Sequence, residues 1–444
     1  MLKNYFKLAI KVLGRNKFFT GISLFGISFT LMILMLIASF YDTEFGKNPP
    51  LSEKDRMVFL THLKMELVEP DTTWTVDSTQ LDGEMAYDST FTVGENTSST
   101  SISFYGHYFL DNYMRDVDGV EAYSFFYPGS SFDLFLQNRK LTVDAIYADA
   151  GYWTVCDFLF LEGGPFTAPQ VEGGTGVAVI TAKTARQYFG RETGVVGETV
   201  QLGDRRYEVI GVVTGSRSAN MAVAADVFLP LTTLEAPVLE SEEYLGGFCA
   251  AYLVPSPADR AAVKEDLAFR AANAPVRNPE EFNRISTNPL NYAEIYASFL
   301  ADQDNPQKGL SYLKLAFGVL ILLFVLLPTL NLVNINLSRI MERESEIGVR
   351  KAFGAHSGTI LYQLLFENII ITLVGGVIGM ALALGLLYLI NQSQVLPDII
   401  LRFNVRVFVY SLLISLVFGV ISGLLPAWRV SRLQIANVLK SNQL

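Results

Sequence analysis

Four long apolar runs interrupt an otherwise mixed pattern of hydrophobic and polar residues. They cover residues 18–41, 315–337, 360–390 and 407–425. Each run reaches or exceeds the roughly 18 to 20 residues that a bilayer-spanning helix requires. Half of all residues are hydrophobic, and the mean hydropathy is positive at +0.31. The pattern therefore predicts an α-helical membrane protein with four transmembrane helices.

Between the first two apolar runs, the chain shows shorter, strand-like and helix-like patterns. A fully apolar strand is predicted at 177–181, a helix follows at 183–189, and a hairpin over 198–215 turns at Gly203-Asp204. Further predicted elements are strands at 57–65, 227–231 and 248–254, strands over 123–148 that break at Pro128-Gly129 and Asn138-Arg139, and helices at 107–117 and 258–274.

Residues 69–103 differ from their surroundings. They are rich in Thr, Ser and Asp, and we predict a loop or an insertion there. The whole of 42–314 is then a large α+β domain, long enough for two subdomains and two stalks, inserted between the first and second transmembrane helices.

The distribution of Lys and Arg predicts the orientation. Residues 1–17 contain five basic side chains and no acid, and their apolar residues lie broadly on one helical face, which predicts an amphipathic helix on the inner leaflet. The segments 338–359 and 426–444 are also net basic. All three segments are therefore predicted to be cytoplasmic, whereas 42–314 and the loop 391–406 lie outside.

Charge also limits the class of partner. The whole chain has a formal net charge of −10 although its cytoplasmic segments are basic, so the outer domain must be strongly acidic. An acidic domain is a poor ligand for nucleic acid, and membrane lipid is the expected surrounding of the apolar runs.

A charged segment leads into the third apolar run without a linker. Glu346 lies four residues before Arg350, which is the favourable order for an i,i+4 pair, and apolar residues recur around them at helical spacing. Gly354 is a natural C-terminal stop. We predict a short cytoplasmic helix within 338–359 that continues into the third span, with a solvated loop as the alternative.

Polar and small residues inside the predicted spans are candidate sites. Glu367 and Asn368 fall in the third apolar run, where an ionised carboxylate costs ~2.5–3.5 kcal/mol. A structural or coupling role inside the bundle is favoured, and a side chain that reaches the cytoplasmic headgroups is the alternative. Small residues, mostly four apart, permit close helix contact within one chain or across a dimer. The candidate packing residues are Gly375, Gly376, Gly379, Gly419 and Gly423.

Several short motifs occur in a fixed order along the chain. They are Arg15-Asn16-Lys17 before the first span, E-I-G-V-R-K-A-F-G-A at 346–355, Glu367 followed by Gly375-Gly376, V-I-G-V-V at 209–213 in the outer domain, and P-A-W-R at 426–429. Together with the span order, they resemble the MacB/FtsX-type permease family of ABC transporters over nearly the whole chain. Ile435 departs from the pattern, since relatives often have proline there, and residues 69–103 match no motif of the family.

The resemblance implies a permease of the mechanotransmission type. In such proteins, closure of two cytosolic ATPases moves the spans and stalks, and the outer domains change shape. The implied ATPase-coupling residues are Glu346, Ile347, Gly348, Arg350, Lys351 and Gly354. The resemblance also implies a homodimer or heterodimer of permeases in the bacterial inner membrane, with the large domain in the periplasm. It allows a periplasmic adaptor and an outer-membrane channel as further partners.

Export or efflux is the function that the size of the outer domain favours within this family. The alternative is an ATPase-driven signalling or lipoprotein-release subunit, FtsX-like or LolC-like, without small-molecule cargo. Either subunit would bind no cofactor itself, because ATP and Mg²⁺ would be bound by the separate ATPase.

An enzyme is the competing class, and the residue inventory disfavours it. No G-x-x-x-x-G-K-[ST] phosphate loop and no G-x-S-x-G elbow occur, so we expect no catalytic residues in this chain. The histidines, His62, His107 and His356, are too few and too dispersed for a multi-histidine metal site. Cys156 and Cys249 share the outer compartment, and the sequence leaves open whether they form a disulfide.

Overall fold

The structure is a computed structural model, and it divides into two compact units. One consists of Lys47–Leu310, and the other combines Met1–Gly46 with Ser311–Leu444. The described residues are 17–81, 84–136, 139–215, 220–298, 308–324, 356–393 and 403–431, with the single positions 326, 349, 353 and 401.

The secondary structure of these residues is mixed. The helices are α1 Lys17–Phe45, α2 His107–Tyr113, α3 Tyr152–Val155, α4 Ala168–Glu172, α5 Ala182–Phe189, α6 Ala236–Leu239, α7 Arg260–Ala272, α8 Tyr292–Ser298, α9 Ser357–Ser393 and α10 Val405–Ser431. Residues 308–324 are also helical. The strands are β1 Met57–Leu60, β2 Leu63–Leu81, β3 Glu84–Tyr105, β4 Ala122–Leu136, β5 Arg139–Ala148, β6 Phe160–Gly163, β7 Val177–Thr181, β8 Thr199–Leu202, β9 Arg205–Val213, β10 Val227–Pro230, β11 Leu245–Gly246, β12 Cys249–Leu253 and β13 Arg284–Thr287.

A mixed sheet forms the core of the unit Lys47–Leu310. Within the described residues its strand order is β1-β12-β4-β5-β10-β7-β9-β6, and β8 also pairs with β9. The β5–β10 and β7–β9 pairs are parallel, and the other pairs are antiparallel. Strands β1, β7, β10 and β12 are buried at every position, which explains their almost uninterrupted apolar sequences. The α+β class predicted from the sequence is confirmed.

Local sequence signals explain several boundaries. Thr181 ends β7 and caps α5, because its Oγ1 accepts a hydrogen bond from the Thr184 backbone N–H at 3.2 Å. The predicted hairpin at 198–215 is β8 and β9, and Gly203 adopts the positive φ of 57° that its turn requires. The single strand predicted at 57–65 is instead the pair β1 and β2, which belong to different sheets.

The loop predicted at 69–103 is wrong. These residues form most of β2 and β3, which pair in antiparallel register from Leu63–Ser103 to Leu81–Glu84, with one register shift at Leu67/Val68. Thr, Val and aromatic residues favour extended backbone, and the apolar ones alternate with polar ones at a period of two. The second sheet, in the order β11-β3-β2-β13, is built on this long hairpin.

The two cysteines do not form a disulfide. Cys156 and Cys249 are free and buried, and desolvation raises the pKa of both thiols. They therefore behave as small hydrophobic residues of the core.

Two of the described helices are long and apolar enough to cross a membrane, Thr20–Phe45 within α1 and Leu365–Ser393 within α9. The helix α10 covers the fourth apolar run, and the helical residues 308–324 cover the start of the second. The N-terminal segment 1–16, the second half of the second run and the tail after 431 lie outside the described residues. The count of four spans stays a prediction.

Candidate functional site

One face of α9 is the centre of the helical unit. Every fourth residue along this face is buried, and the residues are Glu367, Ile371, Gly375, Gly379, Ala383 and Leu387. Ile371 packs with Ile27 and Leu31 of α1, and Leu412 of α10 adjoins them. Three helices therefore share one small apolar cluster.

Glycines on α9 allow α1 and α10 to approach closely. A methyl group added at Gly379 would lie 2.9 Å from the Ser28 carbonyl oxygen and 3.0 Å from the Leu31 Cβ. One added at Gly375 would lie 2.7 Å from the Ile27 Cγ2. These separations are below van der Waals contact, so a larger residue at either position would separate the helices or displace the facing chain.

The facing residues also give the helix directions. Gly375 meets Ile27 and, one turn later, Gly379 meets Leu31, so α1 and α9 run parallel. At the other end of α1, the Asn404 Nδ2 donates to the Asp42 Oδ2 at 2.8 Å. Because Asn404 precedes α10 while the middle of α10 packs near Leu31, α10 runs antiparallel to α1.

Glu367 lies at the buried start of this contact. It is only 5% exposed, and the Gln363 Nε2 donates to its Oε1 at 3.1 Å, one turn earlier on the same helix. Counting two turns back from the contact of Gly375 with Ile27 brings Glu367 level with Thr20 of α1, which is also buried. We call Thr20, Glu367 and Asn368, which are all buried polar residues at this end of the helical unit, the polar layer.

Asn368 is buried next to Glu367. Its backbone carbonyl accepts a hydrogen bond from the Thr372 Oγ1 at 2.9 Å, one turn later. Such a back-bond from a hydroxyl often bends a helix locally.

The far end of α9 is fixed to the start of α10. The Asn391 amide makes two hydrogen bonds with the Leu401 backbone, accepting from its N–H at 3.0 Å and donating to its C=O at 2.9 Å. With the bond between Asn404 and Asp42, it closes this end of the three-helix contact.

A second candidate region is where the chain enters and leaves the unit Lys47–Leu310. Phe59 of β1 and Leu290 exchange two backbone hydrogen bonds at 2.7 and 2.9 Å. The Lys54 Nζ lies 4.8 Å from the centre of the Tyr292 ring, a cation–π contact between the segment before β1 and the start of α8. The Glu294 carboxylate of α8 pairs with Lys264 of α7. We call Lys54, Phe59, Leu290, Tyr292 and Glu294 the stalk junction.

The predicted coupling residues, Glu346, Ile347, Gly348, Arg350, Lys351 and Gly354, lie outside the described residues. Gly419 and Gly423 fall within α10, but their packing also lies outside what the structure describes. The stalk junction was not predicted, and only the pairing of distant segments discloses it.

Histidine and acidic groups show no metal-binding arrangement in the described part of the chain. His62 packs on Phe104 and His107 on Phe248, with ring centres 5.1 and 5.2 Å apart. Burial lowers the pKa of both imidazoles, which favours their neutral forms.

These features define a class: a protein in which an α+β domain is inserted between long apolar helices. A sequence model described as the MacB-like periplasmic core domain matches residues 20–268, and one described as the FtsX-like permease C-terminal domain matches residues 318–435. The chain belongs to the MacB/FtsX-type family of ABC transporter permeases.

Relatives differ from the chain in length. It is 26% identical over 339 residues to the uncharacterized ABC transporter permease YknZ of Bacillus subtilis strain 168, covering 75% of this chain and 79% of YknZ. It is 27% identical over 304 residues to the macrolide export ATP-binding/permease protein MacB of Escherichia coli K12, covering 68% of this chain and 44% of MacB. The chain thus spans less than half the length of MacB.

Two solved structures are also similar. A domain of a permease protein from Porphyromonas gingivalis has a TM-score of 0.37 and 14% identity, covering 55% of this chain and 92% of its own. The extracellular domain of YknZ has a TM-score of 0.32 and 18% identity, covering 42% and 89%. Both TM-scores are below 0.5, so membership of the family rests on the sequence matches.

Proposed function

We propose that this chain is the permease subunit of a mechanotransmission ABC transporter that acts in export or efflux. A separate cytosolic ATPase would supply the energy, and the extracytoplasmic domain would move in response. The close parallel contact of α1 with α9 at Gly375 and Gly379 carries this proposal. The contact offers a direct path from the start of α9, where the coupling segment joins, to the helix that leads into the outer domain.

The first step is docking of the ATPase on residues 338–359. Arg350 and Lys351 would meet acidic groups of the partner, and a guanidinium can pair bidentately with a carboxylate. Gly354 would set the angle between this segment and α9. ATP and Mg²⁺ would remain on the ATPase, and this chain would contribute position and force.

The second step is transfer along α9. The backbones of α9 at Gly379 and of α1 at Ser28 are so close that α9 cannot slide without displacing α1. Packed interfaces move between discrete arrangements and do not deform continuously. A tilt of α9 would therefore shift α1. The buried Glu367 lies at the end of α9 nearest the coupling segment, where a tilt would first alter its polar layer.

The third step takes place at the stalk junction. The hydrogen bonds between Phe59 and Leu290 and the contact of Lys54 with Tyr292 join the two chain segments that continue toward the membrane helices. Displacement of one segment would therefore displace the other. β1 is the edge strand of the large sheet, so this displacement would enter the domain through its sheet.

The relative MacB is a macrolide export protein, and this favours export among the roles open to the family. An FtsX-like or LolC-like role in signalling or lipoprotein release remains the second candidate. The two can be separated by the proteins that co-purify in mild detergent: an adaptor with an outer-membrane channel supports export, and a cell-wall hydrolase supports signalling.

The proposal is tested with two variants of the coupling segment. Arg350→Glu should weaken co-purification of the ATPase by at least about 30-fold in affinity, since truncating a charged interface contact costs on the order of 2 kcal/mol or more. Gly354→Pro should retain the ATPase but lose substrate-stimulated hydrolysis, because the joint between the coupling segment and α9 is re-angled.

Arg206→Glu is the matched control, because Arg206 is an exposed arginine of the outer domain. It should leave ATPase binding unchanged. Wild-type ATPase binding and turnover in the Arg350→Glu variant would show that the docking segment lies elsewhere.

A further inference from the structure

A cavity of about 350 Å³ lies in the unit Lys47–Leu310, next to the stalk junction. It is lined by the strands β2, β3 and β13, the loops beside them and the end of α8. The lining residues are Thr61, His62, Lys64, Ile102, Ser286, Thr287, Asn288, Leu290 and Ser298. Asn288 is exposed and Ile102 is 45% exposed, so the cavity opens to the surface. Small-molecule sites occupy about 300–1,000 Å³, so this cavity suits one small ligand.

One face of the second sheet forms the floor of the cavity. Ile102 of β3 is opposite Lys64 of β2, and Lys64 is opposite Ser286 of β13. Directly opposite residues of a sheet point to the same face, so these three side chains form a row. Beside this row the His62 ring packs on Phe104, with ring centres 5.1 Å apart. The floor therefore presents an ammonium between an apolar and a hydroxyl side chain.

Hydrogen bonds around His62 hold the strands of the cavity in place. The Tyr105 hydroxyl and the Thr287 hydroxyl both donate to the His62 carbonyl, each at 3.0 Å. These bonds join β3 and β13 to the start of β2. Leu290, on the other side of the cavity, is bonded through its backbone to Phe59 of β1. The cavity is therefore preformed, and one of its walls belongs to the stalk junction.

Lys64 gives the cavity its charge. Among the described lining residues it is the one ionised side chain, because burial lowers the pKa of His62 and favours the neutral imidazole. The Lys64 Nζ lies 3.0 Å from the Glu66 Oε1, and the two side chains are only 22% and 12% exposed. An ammonium has three N–H donors, so a ligand carboxylate can share Lys64 with Glu66.

The charges around Lys64 favour an anion with a single charge. Glu66 does not line the cavity, and it lies opposite Arg284 of β13. Arg284 also pairs with Glu95 at 2.7 Å. Glu66 thus has a basic residue on either side, which leaves Lys64 able to attract an anion in the cavity. The outer domain as a whole is strongly acidic, so a dianion would be repelled more than a monoanion.

The uncharged polar lining is rich in hydroxyl groups. It consists of Thr61, Ser286, Thr287, Asn288 and Ser298. A hydroxyl oxygen accepts hydrogen bonds even when its O–H is used, as in Ser298, whose Oγ donates to the Ile295 carbonyl at 2.7 Å. Ile102 and Leu290 supply apolar contact for C–H groups. This lining matches a ligand that has several hydroxyls on a carbon ring.

We propose that the cavity binds a small polyhydroxylated carboxylic acid of the sugar-acid class, with its carboxylate on Lys64 and its hydroxyls on Ser286, Asn288 and Ser298. A neutral sugar lacks the charged group that Lys64 would hold. The binding itself requires only the unit Lys47–Leu310. Its use as a signal from the cavity through the stalk junction to the membrane helices rests on the proposed function.

Calorimetric titration of the full chain in lipid nanodiscs, without the ATPase, tests the site. The probe is D-glucuronate, and D-glucose and D-glucose 6-phosphate are its neutral and dianionic analogues. Glucuronate should bind with a Kd of about 1 mM or tighter. Glucose should bind at least about tenfold more weakly, because it lacks one charge-assisted hydrogen bond. Glucose 6-phosphate should also bind more weakly than glucuronate.

Two sets of variants test the role of Lys64. Lys64→Gln keeps amide donors for Glu66 but removes the charge, so the affinity for glucuronate should fall about tenfold, to that of glucose. Lys140→Gln is the matched control, because Lys140 is an exposed lysine of β5 that pairs with Asp133 at 2.8 Å. It should bind glucuronate as wild type does.

Ile102→Glu provides a second test at an exposed position that tolerates a polar side chain. The added carboxylate lies beside Lys64 in the row, so it should abolish glucuronate binding, whereas Ile102→Gln should retain it. This pair decides the question if Lys64→Gln is not monodisperse.

No saturable binding of glucuronate to the wild-type chain, equal affinity for glucose, or unchanged affinity in a monodisperse Lys64→Gln variant would overturn the proposed site. In the reconstituted complex, glucuronate should also change ATPase turnover. Binding without any change in turnover would support the site and contradict the proposed transmission through the stalk junction.

Discussion

At the scale of single residues, the acid inside the helical unit is the most informative. Glu367 is buried level with Thr20, and it accepts a hydrogen bond from Gln363. A carboxylate in this position is costly in a membrane, so its presence favours a role that a neutral residue does not serve. The sequence predicted this polar position, but its neighbours on α1 become visible only through the packing.

Glu367→Gln tests that role. The amide keeps the shape and most hydrogen bonds but removes the charge, so substrate-coupled ATP hydrolysis should fall by about tenfold, equivalent to ~1.4 kcal/mol. Membrane insertion should be unchanged. The measurement is ATPase turnover of the reconstituted transporter with and without substrate.

Tyr362→Phe, at an exposed position less than two turns earlier on α9, is the control and should behave as wild type. If Glu367→Gln also couples hydrolysis as wild type does, the carboxylate has no part in transmission.

At the scale of elements, the contact between α1 and α9 is the joint on which transmission depends. Gly379 faces the Ser28 backbone, whereas Gly385 on the same helix has no described atom within 4 Å of an added methyl group. A larger side chain would therefore clash at Gly379, whereas Gly385 has room for one.

Gly379→Val should destabilise the helical unit by about 1–3 kcal/mol through overpacking, and Gly385→Val should have little effect. Thermal unfolding in detergent, monitored as the loss of monodisperse protein, measures the difference between the unfolding midpoints of the two variants. Equal midpoints for the two variants would mean that the close approach of α1 to α9 does not stabilise the protein.

The elements also show what the sequence could and could not predict. The strand at 177–181 matches β7, because a short apolar run bounded by glycine and a capping threonine has few alternatives. The long strands β2 and β3 were missed because their apolar residues, such as Trp74 and Val76, are spaced by two among many threonines. Pairing partners such as Phe59 with Leu290 are far apart in the chain, so local pattern contains no signal for them.

At the scale of the whole molecule, the helix directions limit the topology. Parallel spans begin on the same side of a membrane, so if α1 and α9 both cross it, the chain between them must cross an odd number of times. The helical residues 308–324 open the apolar run that can supply this crossing. The antiparallel α10 then returns the chain to the starting side, and the assignment of that side to the cytoplasm stays a prediction from Lys and Arg.

The central claim is that nucleotide on a separate ATPase changes the arrangement of the outer domains, here in a homodimer, one of the two dimers that the family resemblance implies. The most direct measurement is the distance between two copies of one spin label, placed by Glu265→Cys on the exposed side of α7, in the reconstituted complex. Double electron–electron resonance should give different distance distributions with ADP and with trapped ATP, and Arg350→Glu should abolish the difference. Identical distributions in both nucleotide states of an actively transporting complex would contradict the account.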